Sequence, residues 1–182
     1  MVRPKSKIKL NLHLKLQINA YMKKFIGIFM GCLIFLGCNT QEPTKFSEEA
    51  LNDTFMTLNG ESIAFKDLLQ NHKGSNVVID IWASWCKDCV GGMPKVKKLQ
   101  KEHQDVTYIF LSLDKNVEAW KKGIEKYDVK GEHYFMSSGW KGPFGSFVNL
   151  DWIPRYMVVD KEGHIKLYKA VEADDTNIKD VL

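Results

Sequence analysis

The run Val77-Val78-Ile79-Asp80-Ile81-Trp82 is apolar on both alternations apart from one aspartate. That is the pattern of a strand buried on both faces. Val106 to Leu113 repeats it and ends at Asp114. Between the two runs, Val90, Met93, Val96 and Leu99 recur at one-turn spacing. This predicts a helix from Cys86 to about His103, with a kink at Pro94. Val117 to Tyr127 reads as an amphipathic helix with Trp120 and Ile124 turned inward. Upstream, Phe55 to Leu58 and Ser62 to Phe65 flank Asn59-Gly60, a hairpin signal. Ser47 precedes a short helical turn, and Lys66 to Gln70 is a second one. Downstream, His133 to Met136 predicts a short strand, and Ser138 to Ser146 a glycine-containing loop. Arg155 to Asp160 and His164 to Lys169 form a hairpin around Lys161-Glu162-Gly163, and a short helix begins near Asp175. Strands alternating with helices, then a hairpin, predict an α/β fold with a central mixed sheet flanked by helices.

The first 37 residues follow another rule. Phe25 to Leu36 is an unbroken apolar run of 12 behind Lys23 and Lys24. A membrane-spanning helix needs about 18 or more such residues. A basic start, a short apolar stretch and a small residue before the cut describe a secretory signal peptide. Phe35-Leu36-Gly37-Cys38 resembles a bacterial lipobox, with phenylalanine in place of the usual leucine. The resemblance implies lipidation of Cys38, a cell-envelope, periplasm-facing lipoprotein, and a short polar tether over 38–45. Residues 1–21 precede a second possible start at Met22. They read as an upstream extension outside the folded domain, which is expected over 46–182.

Charge changes meaning once 1–37 is set aside. The whole chain carries 26 basic and 22 acidic residues, formally +4. Seven of the basic residues and none of the acidic ones lie before Cys38, so the remainder is net −3. Nucleic-acid binding thereby loses its compositional support.

The chemistry centres on Cys86-Lys87-Asp88-Cys89. A Cys-x-x-Cys can be half of a zinc site or a redox dithiol. Zinc needs four ligands, usually two such pairs or a pair plus spaced histidines. Here there is no second pair, and His13, His72, His103, His133 and His164 are scattered. The dithiol is therefore read as redox-active, with no metal. The histidines are expected as surface or cap residues. Cys86 lies where a strand gives way to a helix, so the helix N-terminus stabilises its thiolate, and Lys87 adds positive charge. Cys86 is the expected attacking thiolate and Cys89, one turn in, the resolving thiol. Asp88 opposes Lys87 by disfavouring thiolate, which points to a more reducing couple. Asp80 interrupts an apolar strand. It is either a buried acid that takes the Cys89 proton or a strand residue reaching a polar edge.

Asp80-Ile81-Trp82-Ala83-Ser84-Trp85-Cys86-Lys87-Asp88-Cys89, Pro94 and the distant Ile153-Pro154 together resemble thioredoxin-like oxidoreductases. The hairpin before the first core strand, Ala83-Ser84 within the motif, and a helix-strand insert at about 116–136 are similar to the membrane-tethered TlpA/ResA-like branch. The resemblance implies a thioredoxin-like fold and Pro154 held cis beside the dithiol. It also implies that Ile153 offers its backbone to an extended substrate and that Asp80 is the buried acid. Trp85 is expected to contact substrate and Trp82 to lie in the core. Trp140, Phe144 and Trp152 are candidates to line a groove. The expected activity is reduction of protein disulfides in the cell envelope, fed by a membrane electron donor and needing no cofactor beyond Cys86–Cys89. Cytochrome c maturation is one role common in that branch.

Three alternatives remain on the same fold. A thiol peroxidase has a Thr-x-x-Cys context, whereas this chain has Ala83-Ser84-Trp85-Cys86. A copper chaperone uses Cys-x3-Cys with a distant histidine. A non-catalytic binding module would not need Cys86 at all.

Overall fold

The computed structural model describes residues 41–182. In chain order the elements are α1 (Glu48–Leu51), β1 (Thr54–Thr57), β2 (Ser62–Ala64), α2 (Phe65–Asn71), β3 (Val77–Trp82), α3 (Lys87–Glu102) and β4 (Thr107–Ser112). Then come α4 (Val117–Tyr127), β5 (Glu132–Phe135), a 3-10 turn (Gly139–Lys141), α5 (Pro143–Phe147), β6 (Arg155–Val159), β7 (Ile165–Ala170) and α6 (Thr176–Asp180). Cys38 and the signal-like segment lie outside the described residues. Of the expected tether, Thr44 accepts a backbone hydrogen bond from Ile165 at 2.9 Å, which fixes it to the start of β7.

Seven strands form one sheet in the order β2-β1-β5-β4-β3-β6-β7. β3 pairs parallel with β4 and antiparallel with β6, and β4 pairs parallel with β5. The sheet is thus mixed, as the alternation of strands and helices predicted. All six residues of β3 are buried, which explains its apolar run on both alternations. The edge strand β7 is only partly buried, with Lys166 and Lys169 exposed and its pairing to β6 shifted in register.

The Asn59-Gly60 turn joins β1 to β2, and Gly60 takes the positive φ (87°) that this tight reversal requires. Ser47 caps α1 through the Ala50 amide, and Asn116 caps α4 through the Ala119 amide. α3 is continuous across Pro94, whose ring is exposed, so water can satisfy the carbonyl that the missing N–H leaves free.

Three expectations change. The glycine-containing loop over 138–146 is a 3-10 turn followed by α5. Pro143 starts that helix at its first position, and Phe144 anchors it. The Phe144 ring meets Phe65 edge-on at 4.7 Å and Phe55 at 5.5 Å, within an aromatic cluster that Phe46 completes. Phe144 is therefore core and lines no groove. His133 is not a surface residue either. It is buried on β5, stacks on Phe110 at 5.3 Å and bonds the Val129 carbonyl at 3.1 Å. Burial pushes its imidazole below the ordinary range, which favours the neutral ring.

Candidate active site

β3 delivers the chain to the N-terminus of α3, and Cys86 sits at the junction as the helix N-cap. Its sulfur accepts the Cys89 amide at 3.1 Å. An N-cap group takes one of the helix's unpaired donors and faces the positive end of its dipole. A thiolate at Cys86 has that stabilisation built in. Cys86 and Cys89 are joined in a disulfide, with their Cα atoms 5.3 Å apart. Cys89 is fully buried and Cys86 is 7% exposed, so the first cysteine is the one an attacking partner reaches. Lys87 and Asp88 are both exposed on the first turn beside it.

Ile153-Pro154 is a cis peptide, and the Ile153 carbonyl oxygen lies 3.6 Å from the Cys86 sulfur. The sequence-distant Ile153 and Pro154 are thus brought to the dithiol. Trp85 is half exposed next to Cys86, and Trp82 is buried. A groove of about 520 Å³ runs alongside, lined by Lys87, Asp88, Gly92, Trp152, Pro154 and Tyr156 among others. Val171 also lines it, and Trp152 and Val171 are 60% and 47% exposed. Trp140 is half-buried and packs on the core, away from the groove.

Asp80 lies under the active-site helix. It is directly opposite Tyr156 in the antiparallel β3–β6 register, so the two side chains share a face of the sheet. A β-carbon at Gly92 would stand 3.6 Å from the Tyr156 hydroxyl, which shows that this face is the one α3 covers. The Asp80 carboxylate is 2% exposed, and neither of its oxygens has a hydrogen-bond partner among the described residues. It reaches no polar edge. Desolvation pushes its pKa up to about 8.

Three supporting groups were not singled out from sequence. Asp114, at the end of β4, accepts the Ser84 amide at 3.1 Å, the Ser84 hydroxyl at 2.6 Å and the Ser112 hydroxyl at 2.9 Å. It thereby ties down the loop that presents Trp85 and Cys86. Arg155 is fully buried; its guanidinium donates to the Val148 carbonyl and to Asp151, each at 2.6 Å. That clamps the segment leading into Ile153-Pro154. Tyr156 is the third. A charge opening an apolar strand and a carboxylate closing one were the signals available for Arg155 and Asp114.

A dithiol on a helix N-terminus, a neighbouring cis-proline and a buried acid beneath are the parts of a thiol–disulfide exchange centre. The Redoxin family model matches residues 46–182. The chain belongs to the Redoxin family. It is 30% identical over 150 residues to the thioredoxin-like protein YneN of Bacillus subtilis, covering 80% of this chain and 74% of that one. It is also 30% identical over 129 residues to the thiol-disulfide oxidoreductase ResA of Bacillus cereus, covering 69% of each. The thioredoxin domain of a thiol-disulfide oxidoreductase from Bacteroides vulgatus superposes with a TM-score of 0.60 at 24% identity, covering 76% of this chain and 100% of that one. The fold is thioredoxin-like, and the family is the one whose TlpA/ResA-like branch the motif resembled.

Proposed function

We infer that the chain is a thiol–disulfide oxidoreductase, and we propose that it works as a reductase of protein disulfides in the cell envelope. The observation that carries this is the Cys86–Cys89 pair, with the Cys86 sulfur capping α3 and facing the Ile153 carbonyl, next to the groove that Lys87, Asp88 and Pro154 line. In the reducing direction the Cys86 thiolate attacks one sulfur of a substrate disulfide. A mixed disulfide forms and the other substrate sulfur leaves. The fraction of Asp80 that is ionised near its pKa of about 8 takes the Cys89 proton, and Cys89 attacks Cys86, which releases the second substrate thiol and closes Cys86–Cys89. A carboxyl whose pKa is near 8 is matched to accepting a thiol proton, since an ordinary cysteine titrates near ~8.5.

Trp85, Trp152 and Val171 are large apolar side chains left exposed around the dithiol, which supports docking of a protein segment there. The Ile153 backbone is available to pair with that segment as an added strand. Lys87 and Asp88 tune the couple, with Asp88 favouring the disulfide form and hence reducing power. Electrons would come from a membrane donor, and Cys38 would hold the protein at the membrane by its lipid. Cytochrome c maturation fits a tethered reductase, because haem attachment requires a reduced Cys-x-x-Cys-His.

The deciding experiment equilibrates a 42–182 fragment with dithiothreitol or glutathione and measures its reduction potential. The expected value lies near thioredoxin's, about −270 mV. A value near about −120 mV would make the protein an oxidant and overturn the role given to Asp88. Substituting C86S should abolish exchange altogether.

A further inference from the structure

The groove beside the dithiol is lined by three cations and three anions: Lys87, Lys95, Lys169, Asp88, Asp151 and Glu172. Each already has an opposite charge at hand within the chain. Lys95 on α3 pairs with Glu172 and also with Asp174. Lys169 on β7 lies 3.8 Å from Asp151, which the buried Arg155 holds at 2.6 Å. Lys87 and Asp88 are neighbours in sequence and cancel in sign. The groove thus offers a visiting ligand no net charge to recognise. What it offers is apolar. Four large hydrophobic side chains are exposed among the described residues, and two of them, Trp152 and Val171, line this one groove. Exposed apolar groups gathered beside a reacting sulfur point to a ligand that covers them. There is also room for one. Gly91 of α3 lines the groove, and a β-carbon built there would meet nothing within 4 Å.

Trp152 is placed to meet the residue next to a substrate cysteine. It directly precedes Ile153, whose carbonyl oxygen lies 3.6 Å from the Cys86 sulfur. Ile153 is buried and Trp152 exposed, so the two side chains turn to opposite sides. A segment that pairs with the Ile153 backbone sets its cysteine against Cys86. One residue's step along it, about 3.3 Å, reaches Trp152. The Val171 side is held to the helix that carries the dithiol, because Lys95 bridges α3 to Glu172 and Asp174. We propose that Trp152 and Val171 form a subsite for a large apolar side chain flanking the reactive cysteine of the substrate. The protein thereby selects disulfides in apolar protein segments over those of small hydrophilic thiols such as glutathione. This deepens the reading of the chain as a disulfide reductase and rests on it. Glutathione carries net negative charge and no apolar side chain, so neither wall favours it. The reaction is the same exchange. Reduced Cys86 and Cys89 give two electrons to the substrate disulfide, their two protons end on the two released substrate sulfurs, and Cys86–Cys89 closes. Trp152 and Val171 touch the flanking residue and not the sulfurs, so they set specificity and leave the couple alone.

The test measures single-turnover rates of the full chain, reduced beforehand and freed of reductant, with disulfide-linked dimers of one short peptide. Its single cysteine is flanked on both sides by Phe, Ser, Glu or Lys, and glutathione disulfide is a further substrate. Each rate is divided by that of dithiothreitol with the same disulfide, which removes differences in intrinsic reactivity. The expected preference for the Phe dimer over the Ser dimer is about tenfold, the lower end for an apolar group entering an apolar site. The Glu and Lys dimers and glutathione disulfide should be no faster than Ser. W152A should abolish most of the Phe preference and V171S should lower it. The reduction potential of Cys86–Cys89 should stay that of the parent in both, which a disturbed dithiol would not allow. Should W152A fail to fold, V171S carries the test. Equal rates with Phe and Ser in the parent, or a Phe preference kept in the folded variants, would overturn the subsite and leave the reductase reading standing. So would a Glu dimer, a Lys dimer or glutathione disulfide that outpaces Phe. If the parent reduces none of these disulfides, the reductase reading fails and takes the subsite with it.

Discussion

Asp80 concentrates the tension between stability and chemistry in a single side chain. Its folded pKa of about 8 lies above the ordinary value of 3.8. Between those values the unfolded chain is ionised and the folded one holds the proton, so unfolding releases a proton and stability falls as pH rises. Below pH 4 both states are protonated and the cost disappears. The slope is about 1.4 kcal/mol per pH unit, so the accumulated cost near pH 7 is on the order of 4 kcal/mol. Asp80→Asn removes the ionisation. It should raise the melting temperature at pH 7 by roughly 10 °C, give no gain at pH 4, and slow disulfide exchange. An equal gain at both pH values would show that burial does not perturb Asp80. Asp80 was legible in sequence because a charge inside an apolar strand is conspicuous, although only its burial separates an acid under the dithiol from a residue reaching a polar edge. Tyr156 was not, because a tyrosine in such a strand looks like packing until the register sets it opposite Asp80.

Loops and strand ends, rather than the strands themselves, set the geometry of the dithiol. Arg155 opens β6 and reaches back to Val148 and Asp151, so the loop carrying Trp152 and Ile153 is held by the strand that follows it. Arg155→Met keeps most of the buried volume but leaves the Val148 carbonyl without its donor, which costs about 1–3 kcal/mol. The expected outcome is a lower denaturant midpoint, with faster amide exchange confined to about 148–154 and α3 unaffected. Uniform loss of protection across the domain would mean that Arg155 supports the fold as a whole and not this loop. The other support is the loop before Cys86, where Asp114 holds Ser84 from one side. On the other, Gly123 of α4 comes so close that an added β-carbon would collide with the Ser84 side chain. The periodic elements β3, β4, α3 and α4 were readable because each repeats its apolar signal over several positions. The helix at 143–147 spans only five residues, too few for periodicity to declare itself. Its identity depends on Phe144 meeting Phe55 and Phe65 from other parts of the chain.

At the scale of the whole molecule, the question is where the dithiol can work. Among the described residues no helix is long and apolar enough to cross a membrane. The apolar run Phe25 to Leu36 is also shorter than a span requires. Membrane attachment would therefore rest on the proposed lipid at Cys38. Thr44 is fixed to β7, and the chain between Cys38 and Thr44 can span at most about 20 Å at ~3.5 Å per residue. With a domain of ordinary size, a lipid at Cys38 would keep the dithiol within a few nanometres of the bilayer, close enough to exchange with the proposed membrane donor. Expression of the full chain and of C38S in a bacterial host, with labelled fatty acid, tests this directly. The parent should appear in the membrane fraction carrying label, and C38S should carry none and partition away from the membrane. The in vitro reduction potential should be identical in the two, because the anchor acts on location and not on the couple. An unlabelled parent recovered in the soluble fraction would remove the anchor, and with it the reason to place the electron donor in the membrane.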